Sequence, residues 1–146
     1  MKQPPLIVSA CLLGIKCRYD GTDAANETIL DMARTRCLIP LCPEQLGGLP
    51  TPRAAAEIEN GNGGDVLDGS SRVISGDGSD VTPNFTRGAA EILKVVRLFD
   101  ISEACLKEKS PSCGVTTLSG GGDVVKGVGV TTALLIRSGV RVSGVN

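Results

Sequence analysis

The chain has 146 residues, 15 basic and 16 acidic side chains, a formal net charge of −1 and no histidine. That length suits a single domain spanning 1–146, with enough chain to bury a core unaided. The missing histidine excludes Ser-His-Asp triads, Cys-His nucleophiles and His-bearing zinc sites; the balanced charge offers no basic face, so a nucleic-acid partner is not expected.

The core has to be aliphatic, because Trp is absent and the aromatic residues are Tyr19, Phe85 and Phe99. At the start, Leu6-Ile7-Val8 followed by Ser9-Ala10-Cys11 reads as a short buried strand. Val8 to Cys11 also looks like a lipoprotein cleavage box. The segment before it is shorter than the ~15–30 residues of a signal peptide and is interrupted by Pro4-Pro5. No apolar run approaches the ~20 residues of a membrane span. A cytoplasmic chain with no membrane partner is the expectation.

Residues 14–21 read as a loop, and Asn26 as the cap of a helix carrying Ile29, Leu30 and Met32. Cys37 to Cys42 reads as a second strand, irregular or near an edge at Pro40, which cannot donate to a ladder. Pro43 to Arg53 reads as a long functional loop. A hairpin turning near Asp68-Gly69 is expected to join Val66-Leu67 to Val73-Ile74. Thr82-Pro83 predicts a helix start, with Thr82 as N-cap and Pro83 at the first helical position. That helix carries Ala89, Ile92, Leu93, Val96 and Leu98.

Ile101 to Leu106 reads as a third strand, followed by a turn at Lys109 to Gly114. Gly120 to Gly122 reads as a loose loop. Residues 126–131, KGVGVT, match no phosphate-binding fingerprint and read as a flexible connection that could close over a site. Thr131 to Arg137 predicts a last helix, stopped at Gly139, and Val140 to Val142 a last strand. Strands alternating with helices predict a compact three-layer, Rossmann-like α/β domain with a mainly parallel sheet.

Six cysteines in such a chain call for an explanation. Their spacings contain no C-x-x-C, which argues against zinc ribbons and thioredoxin-type motifs. Cys37 and Cys105, inside predicted strands, read as core residues, since a thiol packs as a small apolar group. Cys11, Cys42 and Cys113 stand at or just beyond the ends of three strands. In an open α/β sheet that is where ligands bind, so the three thiols should converge at the carboxyl ends of the strands. Three thiolates suit a soft metal centre, and a cluster with one open iron is the favoured reading. Cys17 either lines that site as a spare thiol or packs under its loop. At the third strand end, Pro111 stiffens the turn and Cys113 is presented rather than buried.

Four blocks then occur in order: SACLLG with CRYDG, CPEQLGGLPTPR, GSDVTPNFTRGA and LKEKSPSCG. With these blocks, spread over nearly the whole chain, the sequence resembles the thiouracil desulfurase (TudS) family. The resemblance implies an enzyme with a [4Fe-4S] cluster held by Cys11, Cys42 and Cys113. The open fourth iron would take the sulfur of a small thiolated pyrimidine, and water would replace sulfur without net redox. It further implies Glu44 as the acid/base carboxylate and Ser110 as a residue close to substrate. Family members acting on thiouridine in RNA carry an additional domain, so the resemblance over 1–146 implies a free small-molecule substrate as the expectation here.

Physical chemistry agrees with that assignment. A soft thione sulfur binds iron, and Glu44, two residues past Cys42, stays near it whatever the loop does. Its bland alternatives are a helix cap or an ion pair with Arg53. Ser112 reads as a turn hydroxyl, Asp80 as a helix-dipole partner, and Lys107 and Lys109 as solvated lysines able to face a developing anion. Two other readings stand beside it: a metal- or sulfide-carrying module that uses the same three cysteines and needs no Glu44, and a thiol redox protein using Cys11 with Cys17 or Cys37 with Cys42.

Overall fold

The computed structural model describes residues 3–120 and 122–146. Strand β1 (Leu6–Ser9) runs into a 3-10 turn over Ala10–Leu13, and helix α1 (Glu27–Met32) follows. Next come β2 (Leu38–Leu41), α2 (Pro43–Leu46), β3 (Ala56–Ile58), α3 (Gly63–Leu67), β4 (Val73–Ser75) and the long α4 (Thr82–Leu98). The chain closes with β5 (Glu103–Lys107), β6 (Thr117–Gly120), β7 (Asp123–Lys126), α5 (Val130–Arg137) and β8 (Arg141–Val145).

The central sheet is parallel, in the order β2-β1-β5-β8. Alternation along β1 decides its two faces, because successive side chains point to opposite sides of a strand. Ile7 joins Ala104 and Leu106 of β5 against Ile92 and Val96 of α4 and Leu135 of α5. Leu6 and Val8 pack on the other face with Leu12, Cys17 and Ile29. Helices therefore cover both faces, as the strand–helix alternation predicts. A third apolar cluster joins the β3–β4 ribbon, α3 and α4 through Val66, Val73, Phe85 and Ala89. Pro40 lies in β2, which is an edge strand, consistent with its missing donor.

From β1 the chain runs outward to β2 and returns to β5 on the other side of β1. The crevice between β1 and β5 is thus a topological switch point, where ligands of open α/β sheets bind. Asn26 caps α1 as expected, its side chain accepting from the Ile29 amide at 3.1 Å.

Several local expectations are corrected. Val66-Leu67 lies in α3, and the strand that pairs with Val73–Ser75 is Ala56–Ile58. Asn62 and Asp65 form a reciprocal capping box there, and that helix start outcompetes a turn at Asp68-Gly69. The 43–53 stretch is not all loop: Pro43 starts α2, and Gly88 of α4 lets it pack backbone to backbone. A Cβ at Gly88 would stand 2.0 Å from the Pro43 carbonyl oxygen. Thr82 is the first residue of α4, not its cap, because its hydroxyl is turned to accept from the Val73 amide at 2.8 Å. Asp80 caps the Thr82 amide at 2.9 Å. The third strand is shifted to Glu103–Lys107. Gly120 and Gly122 belong to the turn of the β6–β7 hairpin rather than to a loose loop, and Gly121 lies outside the described residues. Cys37 is exposed just before β2, and Cys105 is half-buried.

Candidate active site

A cavity of about 270 Å³ opens at the carboxyl ends of β1, β2 and β5. Cys11, Cys42 and Cys113 all line it, and so do Glu44, Ser110 and Ser112. Each thiol is delivered by a different connection. Cys11 sits in the 3-10 turn after β1, Cys42 is the cap residue of α2, and Cys113 lies in the turn after β5. The Ser9 hydroxyl accepts the Lys107 amide at 2.9 Å and ties the ends of β1 and β5 together beside the site.

The Cys113 turn is built like a small cage. Ser110 Oγ accepts from the amides of Ser112 (3.2 Å) and Cys113 (3.1 Å). The amides of Val130 and Thr131, at the start of α5, donate to the carbonyls of Pro111 and Ser112, both at 2.9 Å. Thr132 Oγ1 donates to the Cys113 carbonyl at 2.9 Å. Gly129 makes this approach possible: a Cβ there would stand 2.5 Å from the Ser112 carbonyl and 2.8 Å from the Cys113 nitrogen. The KGVGVT segment therefore buttresses the turn from beneath and is no flap over the site. Glu108 holds the far side. Its carboxylate accepts from the amides of Val115, Thr116 and Thr117 and from both threonine hydroxyls.

Glu44 is held at both carboxylate oxygens. Arg53 Nε donates to its Oε1 at 3.0 Å and Ser112 Oγ to its Oε2 at 2.9 Å. The ion pair is largely enclosed, with Glu44 14% and Arg53 6% exposed at their side chains. Arg53 also donates to the carbonyls of Cys17 (2.9 Å) and Pro50 (3.1 Å). The ion pair that stood as a bland alternative for Glu44 is thus present, and it leaves the carboxylate on the cavity wall. Each carboxylate oxygen accepts one of these bonds and keeps a further lone pair.

Contact with Cys17 and burial shift the acidity of the thiols in different directions. Cys11 is drawn below the ordinary thiol range by its bond with Cys17, against the effect of burial. The same bond pushes Cys17 up to about 11. Cys42 is raised by its bond with Cys17 and by burial. Cys113 is buried rather than presented as its turn predicted, because α5 packs beneath the turn, and burial raises its pKa to about 12. Lys107, half-buried on the cavity wall, is lowered by burial, with Cys11 opposing that shift. A soft cation would displace these thiol protons on binding.

The donor set is soft and lacks nitrogen, which fits iron–sulfur ligation. Among the described residues no three His, Cys, Asp or Glu side chains are grouped to hold one metal ion. A cluster of several irons would ask for a wider arrangement than a single ion, with Cys11, Cys42 and Cys113 as the thiolates that would hold it. Arg53 makes the ion pair with Glu44 that the sequence offered as an alternative, and it also reaches the Cys17 carbonyl. Reading the sequence missed two contributors. Ser112, read as a turn hydroxyl, is buried and reaches Glu44, and Glu108 hides between two lysines. Only the alternation along β5, which turns Glu108 away from Lys107 and Lys109, could have signalled one of them.

The 2-thiouracil desulfurase family model matches residues 6–145. The chain belongs to the 2-thiouracil desulfurase family. It is 43% identical over 144 residues to the uncharacterised protein YbbK of Bacillus subtilis strain 168, covering 97% of this chain and 95% of that protein. Among solved structures it is similar to a [4Fe-4S]-dependent thiouracil desulfidase, TudS. There the TM-score is 0.82 at 40% identity, over 97% of this chain and 91% of the other. No helix among the described residues is long and apolar enough to cross a membrane.

Proposed function

We propose that this family member removes sulfur from a small thiolated pyrimidine, converting a thiouracil to uracil and sulfide without net redox. The observation that carries the reading is the meeting of Cys11, Cys42, Cys113 and Glu44 on one cavity. Family membership and the likeness to a [4Fe-4S]-dependent thiouracil desulfidase support it. Cys11, Cys42 and Cys113 would hold the cluster, which would supply a soft Lewis acid able to polarise the C–S bond.

The chain's own residues handle water and protons. Exchange of sulfur for oxygen leaves the carbon's oxidation state unchanged, so water in and hydrogen sulfide out balance without an oxidant. Glu44 takes a proton from the attacking water on a carboxylate oxygen and returns it to the departing sulfur. Arg53 and Ser112 fix the carboxylate while it does so. Ser110 Oγ, held by two backbone amides, presents a hydroxyl at a set place on the cavity wall for a polar atom of the pyrimidine ring.

The test is reconstitution without oxygen, followed by iron and sulfide counts and assay of uracil formed from 2-thiouracil. About four irons per chain are expected, lost in Cys11→Ala, Cys42→Ala and Cys113→Ala. Glu44→Gln should keep its iron and lose roughly 100-fold or more in turnover. Undiminished turnover in Glu44→Gln, or a wild-type chain that binds no iron, would overturn the reading.

A further inference from the structure

Cys17 has no part in that reaction, yet it is buried at 2% exposure and lines the same cavity. Its side chain packs in one buried cluster with Cys11, and Cys42 packs against that cluster. The two partners are not equivalent. Cys42 Sγ is also engaged with the Cys17 carbonyl oxygen at 3.8 Å, so its hydrogen is directed at backbone. Cys11 shares the β1–α1 connection with Cys17, outside β2 and α2, so a bond between them closes a short ring within that connection. The ring contains Gly14 at φ 87°, and Arg53 pins its far end through the Cys17 carbonyl.

We propose that Cys11 and Cys17 are a redox modification site: in the cluster-free chain they form a reversible disulfide that prevents cluster loading. The bond stands on the thiol cluster alone; its effect on loading rests on the three-thiolate reading above. The chemistry requires a hydroperoxide. One thiolate attacks the terminal peroxide oxygen, the O–O bond breaks, and a sulfenic acid forms as the alcohol, or water, departs. The second sulfur then attacks the sulfenic sulfur, the S–O bond breaks and water leaves. Two electrons pass from the thiols to the peroxide, and a dithiol reductant reverses the bond by exchange. Once Cys11 is a cluster ligand the disulfide cannot form, so loading and locking exclude one another.

The chain's basic residues make the test clean. Trypsin cleaves after Lys16 and Arg18, so Cys17 leaves in a dipeptide. Cys11 then lies in residues 3–16, and Cys37 with Cys42 in residues 37–53. The cluster-free full chain is treated with one equivalent of hydrogen peroxide, its free thiols are alkylated, and it is digested without reductant. The expected product is the dipeptide joined to 3–16, released by dithiothreitol. A dipeptide joined to 37–53, or Cys17 fully alkylated while other thiols oxidise, would overturn the proposal. Iron uptake gives the second readout. Peroxide should cut wild-type uptake at least about 10-fold, reversibly with dithiothreitol, and should leave Cys17→Ser with at least half of its own untreated uptake. Equal inhibition of Cys17→Ser would sink the switch. An untreated wild-type chain that takes up no iron fails the cluster reading instead, and the peptide map still decides the disulfide.

Discussion

The thiols of the site are held in two contrasting ways. Cys113 sits in a turn whose backbone groups are gripped from three sides: by Ser110 within it, by the start of α5 beneath it and by Glu108 beside it. The segment from Cys11 to Asp23 is held differently. Its own bonds are local, such as Asp20 to Thr22 and Lys16 to Asp23, and lie on the exposed side. Arg53 supplies ties to the body through the carbonyls of Cys17 and Tyr19. The contrast suggests a division of labour. One side of the cavity is held by a net of hydrogen bonds, and the other by apolar packing of Leu12 and Cys17 on β1 together with Arg53, whose side chain also holds the Glu44 carboxylate.

Breaking the rigid side should have the largest effect. In Gly129→Ala the new methyl meets backbone on both sides. A loss of about 3 kcal/mol is expected, at the upper end for overpacking, together with loss of iron binding; thermal unfolding and iron counts check both. Arg53→Met tests the other side. It leaves a largely enclosed carboxylate without its cation, which typically costs about 3 kcal/mol when a buried pair is broken. The fold should survive with iron retained, and kcat should fall at least 10-fold with a smaller change in KM.

The smallest effect is expected from Glu108→Gln, at about 2 kcal/mol, because an amide cannot accept what the carboxylate accepts from several donors. Burial works to raise the Glu108 pKa, but the Thr116 hydroxyl and three backbone amides outweigh it and hold it down to about 2. The folded value is thus depressed from the ordinary 4.5. Its contribution is complete above pH 4.5 and is lost as pH falls through about 2. Urea unfolding at pH 7 and at pH 3 should show wild type losing part of this share on acidification and Glu108→Gln losing correspondingly less. An equal acid response in both would mean that Glu108 does not anchor the turn.

Much of the fold was legible in particular residues. Alternation over Leu6 to Ser9 and helical spacing from Ala89 to Val96 reflect local periodicity, and Asn26 and Gly139 mark helix ends through backbone preferences that hold in any context. The placement of Cys11, Cys42 and Cys113 beyond three strand ends was equally local, so their shared cavity could be anticipated. Where Val66-Leu67 would pair was not legible, because β3 and β4 are chosen by long-range packing against α4, and the Asn62 capping box overrode a plausible turn. Nor could the sequence disclose that Gly129 supports the Cys113 turn or that Arg53 reaches Glu44 and Cys17 at once. Those contacts join segments far apart in the chain, and their geometry exists only once the sheet has set its strand order. By itself the sequence determined the elements, the chemical character of the donor set and the family resemblance. The tertiary structure decided which thiols are held rigidly and how the carboxylate is oriented, because hydrogen bonds and close backbone approach depend on distances that no local pattern encodes.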